Sequence, residues 1–129
     1  MGLSIYDEHT AYLVTKPIDN TNGVVPVTMV EPTIGALRVD AIIAASFAAA
    51  DHIIEVVMNG PSDVAFLANV NIPAGAGTGV IPVVDLIPLV APTAIGALVF
   101  PPGTKLDLRA AVTLDADEYI TFCILGGYV

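Results

Sequence analysis

Two groups of acidic and imidazole side chains in this sequence are spaced closely enough to do chemistry. Asp115, Asp117 and Glu118 stand almost side by side, and Asp7, Glu8 and His9 are consecutive. Clustered carboxylates suit a hard cation such as Ca²⁺, which is held by oxygen ligands. A full calcium loop, with its central glycine and terminal glutamate, is missing around residue 115. Asp favours turns through hydrogen bonds to its own backbone, so a solvated turn accounts for Asp115, Asp117 and Glu118. A metal at Asp7, Glu8 and His9 needs ligands from elsewhere, and His52 is the only other imidazole. No metal is expected at either place.

The glycine run Gly75-Ala76-Gly77-Thr78-Gly79 invites a phosphate-binding reading. It lacks a Gly-Lys-Ser/Thr ending, its third glycine comes one residue early for the dinucleotide pattern, and no amphipathic helix follows to present an N-terminus. A flexible connection is the simpler reading. Nucleophilic catalysis fares no better. Ser4, Ser46 and Ser62 lie in no Gly-x-Ser-x-Gly elbow. Cys123 falls in the apolar run 119–125, where a thiol behaves as a small hydrophobe, and pairing it with His9 or His52 needs a chance meeting in space. Paired carboxylates for sugar hydrolysis normally come with aromatic platforms, and the chain has four Phe, four Tyr and no Trp. No catalytic, cofactor-binding or metal-ligating residue is assigned, and the chain is not expected to be an enzyme.

Composition excludes further classes. Hydrophobic residues make up 55% and charged residues 13%, with a formal net charge of −9. Lys16, Arg38, Lys105 and Arg109 are scattered, so no basic stripe exists to neutralise phosphates, and direct nucleic-acid binding is not expected. The most apolar window, 80–100, contains Asp85, Pro82, Pro88 and Pro92, and the window 34–50 is interrupted by Arg38 and Asp40. Neither reads as a membrane-spanning helix. No basic start followed by an apolar run marks a signal peptide, and the opening Met-Gly has Tyr6 where myristoylation wants Ser or Thr. A soluble protein is expected. It holds more apolar side chains than one small core requires, and large apolar patches are rare on soluble monomers. Burial against neighbouring subunits would absorb the surplus. A lone cysteine rules out an internal disulfide.

The elements that would position these residues read as all-β. Residues 1–23 form a polar stretch with Pro17 inside it, read as an N-terminal arm or an early edge strand ending in an Asn22-Gly23 turn. Residues 24–129 form one domain of short apolar runs separated by turn residues about every ten positions. Strands are expected over 24–30, 34–47, 52–58, 64–70, 97–100, 105–112 and 118–125. Asn59-Gly60-Pro61-Ser62-Asp63 makes 52–70 a hairpin, Ala48-Ala49-Ala50-Asp51 would turn the 34–47 strand into the next one, and Asp115-Ala116-Asp117 would make 105–125 a second hairpin. Leu106, Leu108, Ala110 and Val112 would face inward and Lys105, Asp107 and Arg109 outward. Residues 80–90 are too proline-rich for a central strand and suit a short helical turn around 83–86. About seven or eight strands with this spacing point to an antiparallel β-sandwich or jelly roll.

The order of motifs also resembles a known family. A strand Arg38-Val-Asp-Ala-Ile is followed by Asn71-Ile-Pro-Ala-Gly-Ala-Gly-Thr-Gly, a Pro-Val-Val-Asp-Leu segment at 82–86, Phe100-Pro-Pro-Gly-Thr-Lys-Leu-Asp-Leu-Arg and a closing Gly126-Gly-Tyr-Val. Over residues 34–129 this resembles the small β-sandwich, jelly-roll-like virion structural proteins of tailed bacteriophages, of the capsid decoration or cement type. The resemblance implies a homo-oligomer, a trimer among the candidates, assembled in the host cytoplasm and attached to major capsid protein or other virion proteins at the capsid surface. It supplies no catalytic residues. A net negative charge suits the outside of a capsid better than its DNA-facing interior. The alternative is a tail-fibre module binding a receptor or carbohydrate through its loops.

Overall fold

A computed structural model describes residues 11–61, 64–90 and 98–129. The Asp7, Glu8 and His9 cluster, Ser4, Ser62, the opening Met-Gly and Pro92 lie outside the described residues. The described chain forms nine strands: β1 (Ala11–Asp19), β2 (Val27–Val30), β3 (Leu37–Ser46), β4 (His52–Asn59), β5 (Val64–Ile72), β6 (Val84–Asp85), β7 (Leu98–Phe100), β8 (Lys105–Ala110) and β9 (Tyr119–Tyr128). A 3-10 turn at Asn20–Asn22 closes on Gly23, and one helical turn, α1, covers Ile87–Val90.

The strands make two antiparallel sheets packed face to face. One has the order β1-β9-β3-β6, with β7 also on β3; the other has the order β2-β8-β4-β5. Counting β6 and β7 as two pieces of one edge position, the pairs β1·β9, β2·β8, β3·β6/β7 and β4·β5 are nested. The chain is thus a folded-back antiparallel ribbon whose tip is the β4–β5 turn, wrapped so that successive pairs alternate between sheets. That is the jelly-roll topology.

This topology explains which hairpins form. Residues 52–72 do pair as β4 and β5, from His52 opposite Ile72 to Asn59 opposite Val64, with a one-residue register shift between Val56 and Val57. The expected hairpin over 105–125 does not exist, because β8 pairs with β4 and β2 whereas β9 pairs with β1 and β3. The stretch 48–51 likewise carries the chain from one sheet to the other rather than turning β3 onto β4. Turn residues mark where a strand stops; the partner is set by the long-range wrapping of the ribbon. Residues 11–19 are an edge strand paired with β9 along their full length. The helical turn sits at 87–90, a few residues later than expected, after the two-residue strand β6.

Alternating apolar positions build the core between the sheets. Ile42, Ile120, Phe122 and Ile124 from one sheet meet Ile54, Val56, Leu106 and Leu108 from the other, all fully buried with Phe100 among them. Each such side chain contributes roughly 1.5–3 kcal/mol by leaving water. Along β3 the inward phase changes: Leu37 and Val39 are buried, then Ile42 and Ala44. The register against β9 slips between Val39 and Ala41, so Asp40 is the extra residue of a β-bulge. Opposite it stands Gly126, where a Cβ would lie 1.9 Å from the Arg38 carbonyl oxygen. Only glycine lets the strands approach there.

Two other expectations change. Asp107 is 5% exposed rather than outward in solvent, and Val112 lies beyond the end of β8 with 68% of its surface exposed. Asp107 stands between Thr28 and Val57 in the sheet and accepts a hydrogen bond from the Asn59 amide. The glycine run is a pinned loop rather than a free connection. Ser46 N–H donates to the Ala76 carbonyl at 2.8 Å, Gly77 N–H donates to Ile81 at 2.7 Å, and Ala76 is buried. Gly77 has φ +81°, and a Cβ on it would meet Val83 at 2.7 Å.

Candidate functional site

The two outer faces of the sandwich differ in chemistry, and the difference follows from the alternation of a few strands. On the β2-β8-β4-β5 sheet the outward side chains mix paired charges with the exposed apolar Ile53, and the buried Asp107 keeps one carboxylate oxygen without a hydrogen-bond partner among the described residues. Arg109 donates from Nε and Nη2 to the two Glu55 carboxylate oxygens at 2.6 and 2.8 Å, a bidentate pair with adjacent strands fixing its register. The pairing holds the Glu55 carboxyl below the usual carboxylate range.

On the other sheet the outward positions carry no charge across three strands. Register aligns them in rows: Leu13, Leu125 and Ala41; Thr15, Cys123 and Ile43; Pro17, Thr121 and Ala45. The next row ends in Tyr119 and Phe47, whose rings stack with centroids 4.6 Å apart and planes 22° apart. Leu13 is 65% exposed and Phe47 47%, with Tyr119 and Leu125 each at 39%. Charges appear only at the margins. The exposed Arg38–Asp40 pair lies past the bulge, Asp19 lies opposite Tyr119, and Asp85 on β6 uses its carboxylate to accept the Ile42 and Ile87 N–H groups. An apolar centre inside a polar rim is the anatomy of a protein interface.

At the Tyr119 end of this face lies an open groove of about 750 Å³, lined among others by Thr15, Pro17, Asn20, Asp117, Tyr119 and Thr121. It has one aromatic wall, hydroxyl and amide groups, three acidic residues in its lining, Asp19, Asp117 and Glu118, and the Asp117 backbone in the left-handed region at φ +68°.

The acidic trio from the sequence is split by this arrangement. Glu118 turns back into the fold, accepting the Ala49 N–H at 2.6 Å and the Asp115 N–H at 3.1 Å, with His52 Nε2 3.8 Å away. Its carboxyl is held below its ordinary range chiefly by the Ala49 N–H. It therefore ties the 47–51 crossing to the 111–118 crossing and is not free to join Asp115 and Asp117 around an ion. Among the described residues no group of three or more His, Cys, Asp or Glu side chains could hold a metal. Ser46 is buried, its Oγ accepting the Ala48 N–H. Cys123 is half-buried on the outer face, not in the core between the sheets. No described helix is long and apolar enough to cross a membrane.

The uncharged face was not legible as a face in the sequence, although its residues were visible. Its signal is the outward half of β1, β3 and β9, and it becomes a surface only when those strands are known to be neighbours. The chain matches no protein-family model, and no curated protein matches it. The jelly-roll sandwich and its two unlike faces therefore carry the functional argument.

Proposed function

We propose that this chain is a structural virion protein, a decoration or cement subunit that binds the capsid surface and stabilises it through protein–protein contacts as a homo-oligomer. The observation that supports it most is the uncharged outer face of the β1-β9-β3 sheet on a chain of net charge −9. Such a subunit needs contact surface rather than an active site, and part of the apolar surplus, Leu13, Phe47, Tyr119 and Leu125, stands exposed along one wall. The jelly roll is an architecture used by viral capsid domains, and the negative charge suits an exterior position. The test is immunogold labelling of particles purified from a lysate of cells carrying the gene, with co-sedimentation of the purified chain on those particles. Label on the capsid shell and saturable co-sedimentation are expected; particles without label overturn the proposal.

One observation favours a second reading as a carbohydrate- or receptor-binding module: the groove beside Tyr119, with an aromatic wall and neighbouring hydroxyls. A glycan array separates the two. Binding that Tyr119→Ala abolishes, together with unlabelled capsids, selects the second reading.

A further inference from the structure

We infer that the groove beside Tyr119 receives a basic side chain, arginine before lysine, carried on an extended segment of the protein that this chain binds. The inference rests on the proposed structural role and names the chemistry of the partner at one place on its surface.

Shape comes first. Where β1 ends and β9 begins, Asp19 stands opposite Tyr119 and Pro17 opposite Thr121. Residues of the 3-10 turn and of the 116–118 turn complete a concavity of about 750 Å³. That falls among the ~300–1,000 Å³ clefts that take up organic ligands, and it is more than a bare ion fills. A short segment with one long side chain suits the space.

Charge identifies the side chain. Asp19, Asp117 and Glu118 line the groove, and no Lys or Arg does. The chain has four Lys and Arg in all, and each is engaged elsewhere: Lys16 on the Thr28 carbonyl, Arg38 on Asp40, Lys105 beside Glu31 and Arg109 on Glu55. Glu118 is satisfied within the fold by two backbone N–H groups, with His52 beside it, so Asp19 and Asp117 set the field of the groove. The Thr21 hydroxyl and N–H hold the Asp19 carboxyl below its ordinary range, which keeps it charged at neutral pH. Asp117 is exposed, and its carboxylate accepts no hydrogen bond among the described residues. A concave site of negative sign on a −9 chain draws cations and repels phosphates and acidic sugars. A second copy of this chain is a poor occupant, because any Lys or Arg it offered would have to leave its present partner.

The ring decides between the two basic side chains. Tyr119 is fixed by its stack on Phe47, with centroids 4.6 Å apart, yet stays 39% exposed and forms a wall of the groove. A guanidinium can lie on an aromatic ring while its N–H groups reach carboxylates at the margin, whereas an ammonium acts as a point charge.

The probe is a blocked pentapeptide with a central arginine among glycines and serines, beside the same peptide with uncharged citrulline for the arginine. Each is titrated into the isotopically labelled full chain and followed by amide chemical shifts, which also show that every variant is folded. Saturable shifts at Asp19, Asp117, Tyr119 and Thr121 are expected with the arginine peptide and not with the citrulline peptide. Asp117→Asn keeps a residue that tolerates the left-handed backbone and should weaken binding about three- to fivefold, as should Tyr119→Ala. Glu31→Gln removes the same charge outside the groove and should leave binding unchanged. Co-sedimentation on particles should weaken with Asp117→Asn and on raising salt from ~0.02 to ~0.5 M. Equal shifts from both peptides, no shift at ~10 mM peptide, or equal weakening by Glu31→Gln and Asp117→Asn overturns the inference. So does lactose shifting these amides where the arginine peptide does not. Labelled particles whose binding ignores both salt and Asp117→Asn, with no arginine site, overturn this inference alone. Arginine binding by a chain that labels no particle overturns the proposed function alone.

Discussion

Gly126→Ala tests the register of the five-stranded sheet more sharply than any core truncation. An added Cβ would lie 1.9 Å from the Arg38 carbonyl oxygen, 2.9 Å from its carbon and 3.1 Å from the Val39 Cα. All three are backbone atoms, so no side chain can swing aside. Ordinary C···O approach is about 3.3 Å or more, so the strands must part by roughly 1.4 Å. Parting costs about 1–3 kcal/mol as overpacking, and losing one or two ladder hydrogen bonds beside the bulge adds about 1 kcal/mol each. The sum is about 3 kcal/mol. For a domain of this size that lowers the melting temperature by roughly 12 °C. Gly35→Ala is the control, since its Cβ would meet only the Tyr128 ring, at 3.9 Å, and should shift stability by less than about 1 kcal/mol. Calorimetry or denaturant titration reads both. If Gly126→Ala melts within about 2 °C of the parent, the bulge and the β3–β9 register described above are wrong.

Phe122→Ala, at a fully buried position on β9, should cost about 3–5 kcal/mol in a denaturant titration through lost burial and an unfilled cavity. Acid should destabilise the fold through Glu55, Glu118, Asp51 and Asp19, held low by Arg109, the Ala49 N–H, the Ala74 N–H and the Thr21 hydroxyl respectively. Their folded values lie below the unfolded ones, so the stability they give is present above pH ~4 and is lost as pH falls through the folded values. Melting temperatures should be level from pH 7 to 5 and drop below about 4; a level curve down to pH ~2.5 contradicts the assignment. Glu118→Ala should lower hydrogen-exchange protection of the Ala49 and Asp115 amides together, because one carboxylate serves both.

Much of the fold was legible because alternation is local. The β4–β5 hairpin, the long strand at 37–46 and the inward set Ile120, Phe122 and Ile124 follow from apolar spacing and the Asn59-Gly60-Pro61 turn alone. What escaped was everything decided by distant partners. Asp115-Ala116-Asp117 looks like a hairpin turn and is an inter-sheet crossing, because β9 finds β1, a hundred residues earlier, a better neighbour than β8. The bulge at Asp40 exchanges inward and outward positions halfway along β3, so alternation read from Leu37 onward misplaces Ile43 and Ala45. Gly126 on its own gives no hint that it faces the Arg38 carbonyl. Asp107 reads as a solvated outward residue by period and is buried on the outer side of its sheet, where Thr28 and Val57 flank it.

The same bulge bears on the candidate interface. Without the extra residue at Asp40, β3 beyond it would turn Ile42 and Ala44 outward and direct Ile43 and Ala45 into the core. Moving the inward phase onto Ile42 and Ala44 lets Ile43 stand beside Cys123 and Thr15, and Ala45 beside Thr121 and Pro17. Alanine at 41 and 45 keeps two of these positions low, while Leu13, Leu125 and Phe47 stand higher around them. The result is a surface with relief, low along β3 and raised at Leu13, Leu125 and Phe47. Stability alone asks nothing of side chains that point away from the core, and solubility would favour charge there. The proposed role, contact with another protein surface, would account for both their apolar character and their graded size.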